Sequence, residues 1–210
     1  MNILTRQSHS DNLQLTLQQF NLPDANISLW PNWLTEPFSY NLQQQLVSQL
    51  SWAQDSIIMF GKPVKIPRQQ VWMGDSHCRY RYSGTTFIPQ PWHPAVRQLA
   101  DNLSQFLQQP FNCVLLNLYA DGQHHMGWHA DNEPELGHDP VIASVSLGAA
   151  RRFELKHRTQ PWQLTLDLPS GSLLLMIGQC QRHWLHRLPK QSRINHCRLN
   201  LTFRYIEAVS

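Results

Sequence analysis

Arg198-Leu199-Asn200-Leu201-Thr202-Phe203-Arg204-Tyr205 (RLNLTFRY) is the stretch on which the fold turns. Its apolar and polar residues alternate strictly, the period of a β-strand. Leu199, Leu201, Phe203 and Tyr205 share one face, and Arg198, Asn200, Thr202 and Arg204 share the other. An ordinary half-buried strand would turn that polar row to water. Two Arg at i and i+6 around an Asn suit another setting, the mouth of a jelly roll that takes a small dianion, because guanidinium forks pair with carboxylates.

Working outward, further strands are predicted at 112–119, 141–147, 152–157, 162–168, 172–177 and 183–188. Short, evenly spaced strands with turn residues between them predict a sandwich or jelly roll. In 113–119, Asn117 and Tyr119 share a face with Cys113 and Leu115. Ahead of this β-rich half lie two helical patterns. Leu42, Leu46 and Leu50 mark one within 36–52; Val96, Leu99, Leu103 and Phe106 mark another from Pro94 to Pro110. Residues 57–90 are Gly/Pro-punctuated and predict short strands and loops. Helices first and strands after predict an α+β chain, a sheet sandwich buttressed by helices.

The chain has 210 residues, enough for one good core. A hydrophobic fraction of 41% with eight Trp argues against wholesale disorder. No apolar run approaches the roughly 18 to 20 residues of a membrane span, and residues 1–20 lack a secretory pattern. Cys78, Cys113, Cys180 and Cys197 are scattered, against a disulfide framework. A soluble, intracellular, monomeric protein without a membrane partner is expected. The formal charge of +3 hides two basic tracts. One holds Lys62, Lys65, Arg68, Arg79 and Arg81 against Asp75; the other, 151–205, holds ten bases against Glu154 and Asp167. With Trp72, Tyr80, Tyr82 and Trp184 interleaved, they suggest a nucleic-acid surface.

Residues 127–133 read Gly-Trp-His-Ala-Asp-Asn-Glu. On an extended segment His129 and Asp131 project to one side and can chelate one ion. A second His would complete a two-His, one-carboxylate facial triad, the donor set of non-haem Fe(II) oxygenases. His183 and His186 are the candidates, and their opposite parity lets only one face inward. A zinc site from Cys180, His183, His186 and Cys197 lacks the paired spacing of structural zinc.

His129-x-Asp131, then His186, then Arg198-x-Asn200-x-x-x-Arg204 resembles the AlkB family of Fe(II)/2-oxoglutarate-dependent dioxygenases, and most of all the homologues that repair alkylated duplex DNA. NLYADG (117–122), IASVSLGAARRFELKHR (142–158), GSLLLM (171–176) and YSG (82–84) before PQPW (89–92) extend the likeness over about 60–205. The resemblance implies a double-stranded β-helix, or jelly roll, with an N-terminal nucleotide-recognition lid. Residues 1–28, polar and rich in Gln and Asn, read as a loosely ordered lead-in with room for one short strand; the chain then divides into helical support and lid (29–110) and a catalytic core (111–210) within one compact domain. The resemblance also implies Fe(II) on His129, Asp131 and His186, and 2-oxoglutarate on Asn117, Tyr119, Arg198, Asn200 and Arg204. Glu133 would meet the damaged base, Arg68 and Tyr80 would line its pocket, and Phe60 would enter the duplex as an apolar finger. The implied reaction is oxidative demethylation of 1-methyladenine or 3-methylcytosine in DNA, releasing formaldehyde, succinate and CO2. The alternatives are a 2-oxoglutarate oxygenase acting on RNA, protein or a small molecule, and a non-catalytic metal- or nucleic-acid-binding jelly roll.

Overall fold

The structure, a computed structural model, describes residues 15–59, 62–78, 80–82 and 85–207. In chain order the elements are β1 (Gln18–Leu22), β2 (Ala25–Trp30), α1 (Glu36–Gln49), β3 (Ser56–Met59), β4 (Lys62–Lys65), β5 (Gln69–Gly74), β6 (Tyr80–Tyr82), β7 (Thr85–Phe87), α2 (Pro94–Leu107), β8 (Cys113–Tyr119), β9 (Met126–His129), β10 (Ile142–Gly148), β11 (Arg151–His157), β12 (Gln163–Leu168), β13 (Ser172–Ile177), α3 (Cys180–His183), β14 (Trp184–Leu188) and β15 (Arg198–Arg204). Seven strands form one antiparallel sheet, in the order β1-β2-β13-β10-β15-β8-β5. Four form a second, β12-β11-β14-β9. The hairpins β3–β4 and β6–β7 are separate two-stranded sheets.

The two faces of the large sheet have different partners. On one, Leu199, Leu201 and Phe203 join Val114, Leu116, Val145 and Leu147 beneath Leu42, Leu46, Val96, Leu99 and Leu103 of α1 and α2. On the other, Trp72, Ile142, Leu174 and Met176 meet Leu155, Leu166, Leu168 and Trp184 of the small sheet. β15 is therefore buried on both faces, with Arg198 2% and Arg204 4% exposed. That excludes the ordinary strand with its polar row in water. Burying this many polar groups requires partners, and the sheet register aligns them. Asn200 lies opposite Asn117 on one side and Ser146 on the other, and Asn117 lies opposite Gln70.

Both helices start on a proline signal. Pro94 opens α2, where the His93 ring caps the first turn by accepting from the Ala95 N–H at 3.2 Å. Gly148, at the step from the large sheet to the small one, has φ +83, and a Cβ there would overlap Gln43 and the Cys197 carbonyl.

Two local expectations fail. Residues 15–28 hold not one loose strand but a docked hairpin, because Ala25, Ile27 and Leu29 alternate with polar neighbours and are buried, which seats β2 against β13. The strand expected at 183–188 begins with one helical turn, α3, so His183 is helical and the strand starts at Trp184.

Candidate active site

His129 ends β9 and His186 sits in β14, and the two are register partners. Their rings lie 4.2 Å apart, and Asp131 follows two residues after His129. The ligand atoms of His129, Asp131 and His186 all fall within 4.8 Å of one another. His129 Nδ1 lies 2.9 Å from the Gly127 carbonyl. A carbonyl only accepts, so Nδ1 carries the proton and Nε2 keeps its lone pair for the centre.

Burial alone would raise the Asp131 carboxyl, but Arg204, then His186 and His129, overrule it and hold it at about 2. Burial first, then His129, push His186 down to about 3. The carboxylate is thus ionised and the imidazole neutral at pH 7, the states in which both bind a metal. Arg204 Nη2 donates to Asp131 Oδ2 at 2.8 Å, and the Asp131 N–H donates to Gln181 Oε1 at 2.9 Å. Gln181 carries no motif and was not expected. It lies in α3, five residues before His186, so one short segment holds one triad member and braces another.

The polar row of β15 lines the same cavity, of about 300 Å3, with the triad, Asn117 and Tyr119. Arg198 lies over the Tyr119 ring at 5.5 Å and donates through Nη2 to Ser146 Oγ at 2.9 Å. Its Nε has no hydrogen-bond partner, and no carboxylate pairs with it among the described residues. Burial, aided by Arg151, lowers Arg198 to about 10, which still leaves it a cation at pH 7. Asn200 Nδ2 donates to Ser144 Oγ at 2.7 Å. Ser144 and Ser146 were missed, although two serines at i and i+2 in the apolar strand 142–148 carry the same alternation signal as β15.

The remaining expected residues divide. Arg68 is buried in the cavity wall and donates through Nε to Asn117 Oδ1 at 2.9 Å. Glu133 also lines the cavity. Tyr80 opens β6, and Phe60 lies outside the described residues. His183 belongs to another cluster, with His157 and Asp24. There His157 Nδ1 accepts from the N–H of Gln160 at 3.0 Å, so its proton sits on Nε2, facing Asp24 Oδ2 at 3.5 Å. That is the tautomer of a structural pair, not of a metal ligand. No zinc-type grouping of Cys180 or Cys197 occurs among the described residues, and all four cysteines are free. The second basic tract is partly neutralised: Arg182 pairs with Asp139 at 3.0 Å, Arg187 with Glu154 at 2.6 Å, and Arg151 is buried against backbone carbonyls.

The model of the 2OG-Fe(II) oxygenase superfamily matches residues 26–204. The mouse DNA oxidative demethylase ALKBH2 is 39% identical over 171 residues, 78% of this chain and 72% of that protein. The bovine ALKBH2 is 41% identical over 156 residues, 70% of this chain and 56% of that one. The chain belongs to the AlkB family of 2OG-Fe(II) oxygenases. The human alpha-ketoglutarate-dependent dioxygenase alkB homolog 3 is also similar, at 33% identity over 87% of this chain and 66% of its own length. The structure of OsALKBH1 superposes with a TM-score of 0.60 at 19% identity, over 90% of this chain and 99% of that one, and so shares the fold. The AlkB-family chain thus spans between about half and three quarters of these curated relatives' length. The fold is that family's jelly roll.

The residues fit the family's two small partners. Two imidazoles and one carboxylate in ligating protonation states suit Fe(II) and leave coordination positions open. A fully buried guanidinium without a counter-charge, beside amide and hydroxyl groups, suits the dianion 2-oxoglutarate. No helix among the described residues is long and apolar enough to cross a membrane.

Proposed function

We propose that this AlkB-family chain removes N-alkyl groups from bases in DNA, 1-methyladenine and 3-methylcytosine among them, using Fe(II), 2-oxoglutarate and O2. The observation that carries it is one cavity holding both the His129–Asp131–His186 triad and the uncompensated Arg198. The curated relatives named DNA oxidative demethylases supply the substrate class. Fe(II) held there would supply dioxygen activation coupled to oxidative decarboxylation of 2-oxoglutarate to succinate and CO2, and with it the oxygen atom for hydroxylating the N-methyl group. The resulting N-hydroxymethyl base loses formaldehyde, and the ring nitrogen regains its ordinary valence.

The chain's own residues bind, orient and exclude. His129, Asp131 and His186 hold the iron, and Gln181 fixes the backbone of Asp131. Arg198 takes a 2-oxoglutarate carboxylate, with Tyr119 and Asn200 beside it. Arg204 bridges the cosubstrate to Asp131, so cosubstrate and metal ligand are placed by one guanidinium. Asn117 receives Arg68 and transmits the position of the base end. Glu133, Arg68 and Tyr80 surround the flipped base; an N-methyl on the pairing edge is hidden in a duplex, so flipping is required. The hairpins β3–β4 and β6–β7 serve as the nucleotide-recognition lid, and Phe60, between β3 and β4, fills the vacated stack.

The test is incubation of the protein with Fe(II), 2-oxoglutarate and a duplex carrying a single 1-methyladenine. Formaldehyde, succinate and unmodified adenine are expected in equal amounts. Succinate formed with the methylated base untouched would overturn the DNA reading and leave an oxygenase for another substrate.

A further inference from the structure

Glu133 has a second carboxylate for company in the cavity lining. Asp55 lines the same cavity, just before β3. Its backbone carbonyl accepts the Ile66 N–H at 2.9 Å, and its Oδ2 accepts Gln70 Nε2 at 2.7 Å. Gln70 stands on β5 directly opposite Asn117 of β8. The large sheet that places the cosubstrate end therefore places Asp55 too, through a single side-chain link. Among the described residues no Lys, Arg or His pairs with the Asp55 carboxylate. Arg68, which also lines the cavity, donates to Asn117 instead. The cavity lining thus carries three carboxylates, Asp55, Asp131 and Glu133, and of these Asp131 is ion-paired to Arg204 at 2.8 Å.

We propose that Asp55 is a specificity-determining residue that selects positively charged N-alkylated bases over neutral ones. The inference rests on the demethylase reading above. Methylation at N1 of adenine or N3 of cytosine leaves a formal positive charge on the ring, whereas methylation at N1 of guanine or N3 of thymine leaves a neutral one. An unneutralised carboxylate in a half-enclosed wall discriminates between these classes by charge. At the effective dielectric of such a site, one charge several ångströms away changes an equilibrium by about tenfold.

Asp55→Asn tests this, because an Asn oxygen still accepts from Gln70 while the charge is gone. The readout is the ratio of kcat/KM for a 1-methyladenine duplex to that for a 3-methylthymine duplex of the same sequence. The ratio falls about tenfold in Asp55→Asn and is retained in Asp55→Glu, which keeps the charge; a merely structural role would lower both activities together. Asp55→Ser provides the same comparison should the Asn variant not fold. An unchanged ratio in an active uncharged variant overturns the inference and leaves the demethylase reading standing. A wild-type protein that turns over neither duplex overturns both.

Discussion

Arg198→Met is expected to move stability and cosubstrate binding in opposite directions. The wild-type guanidinium is 2% exposed, pairs with no carboxylate among the described residues, and has a buried Nε without a partner. What holds it is one bond to Ser146 Oγ and the face of Tyr119. Those contacts contribute about 1 to 3 kcal/mol together, against a desolvation cost of several kcal/mol for a buried ion. Met fills similar volume without that cost, so the ligand-free variant should match or exceed the wild type by about 1 to 2 kcal/mol. Losing one partner of a buried charge pair costs about 2 to 5 kcal/mol of binding, so 2-oxoglutarate affinity should fall at least about thirtyfold. Thermal melting of the Mn(II)-loaded protein with and without 2-oxoglutarate reads both. At 100 times its Kd the cosubstrate stabilises the wild type by about 2.7 kcal/mol, and at the same concentration the variant should keep about a third of that shift or less. A variant that melts well below the wild type yet keeps the full 2-oxoglutarate shift would refute the assignment of Arg198 to the cosubstrate.

Three further outcomes follow from other parts of the structure. Gln181→Leu removes the acceptor that fixes the Asp131 N–H and should weaken Mn(II) binding about 10- to 100-fold, read by EPR titration; unchanged affinity would show that α3 does not brace the centre. Gly148→Ala combines a positive φ with overlap of Gln43 and the Cys197 carbonyl, and should cost more than about 2 kcal/mol in urea unfolding. The metal-free protein should be acid-labile through His186, whose folded value of about 3 lies below its ordinary 6.5. Between those values the unfolded chain binds the extra proton, so stability is full above about pH 6.5 and falls as the pH drops toward 3. Urea unfolding should lose about 2 kcal/mol between pH 7 and pH 5 from this group, and His186→Phe should flatten that slope. Asp131 acts in the same direction only below its ordinary 3.8, down to about 2.

The jelly roll and the ends of its cavity are legible in the sequence because alternation is a local signal. Residues 198–204 announce a strand whose polar face is unusual, and the structure buries that face. The step from His129 to Asp131 is legible for the same reason. The choice of His186 over His183 needs parity together with the start of β14, and a helical turn rather than a continuous strand decides where His183 goes. Gln181, Asp55 and Gln70 were illegible, since each acts through a single hydrogen bond to a residue far away in sequence or through a backbone N–H. The basic tracts were misleading in part. A count of Arg residues cannot show that Arg151 satisfies three carbonyls inside the protein, or that Arg182 and Arg187 already have acidic partners.

The placement of charge also explains why the two ends of the cavity should not behave independently. Arg204 touches Asp131, linking the proposed cosubstrate and metal residues, and Arg68 touches Asn117, linking the proposed base and cosubstrate residues. Asn117, Asn200 and Ser146 lie side by side across three strands packed beneath two helices. Such a row shifts as a unit or not at all, because close-packed interiors resist local adjustment. Cosubstrate held as proposed against Arg198 and Asn200 would therefore stiffen the wall that carries Arg68. Binding of the base should be tighter in its presence, and by linkage the cosubstrate should bind more tightly when the base is in place. Arg68→Leu should abolish that mutual enhancement even where it leaves the affinity of the ligand-free protein for 2-oxoglutarate nearly intact. Calorimetric titration of 2-oxoglutarate into the Mn(II) protein, with and without methylated oligonucleotide, measures it, and an enhancement that survives in Arg68→Leu would show that the Arg68–Asn117 bond does not carry the coupling.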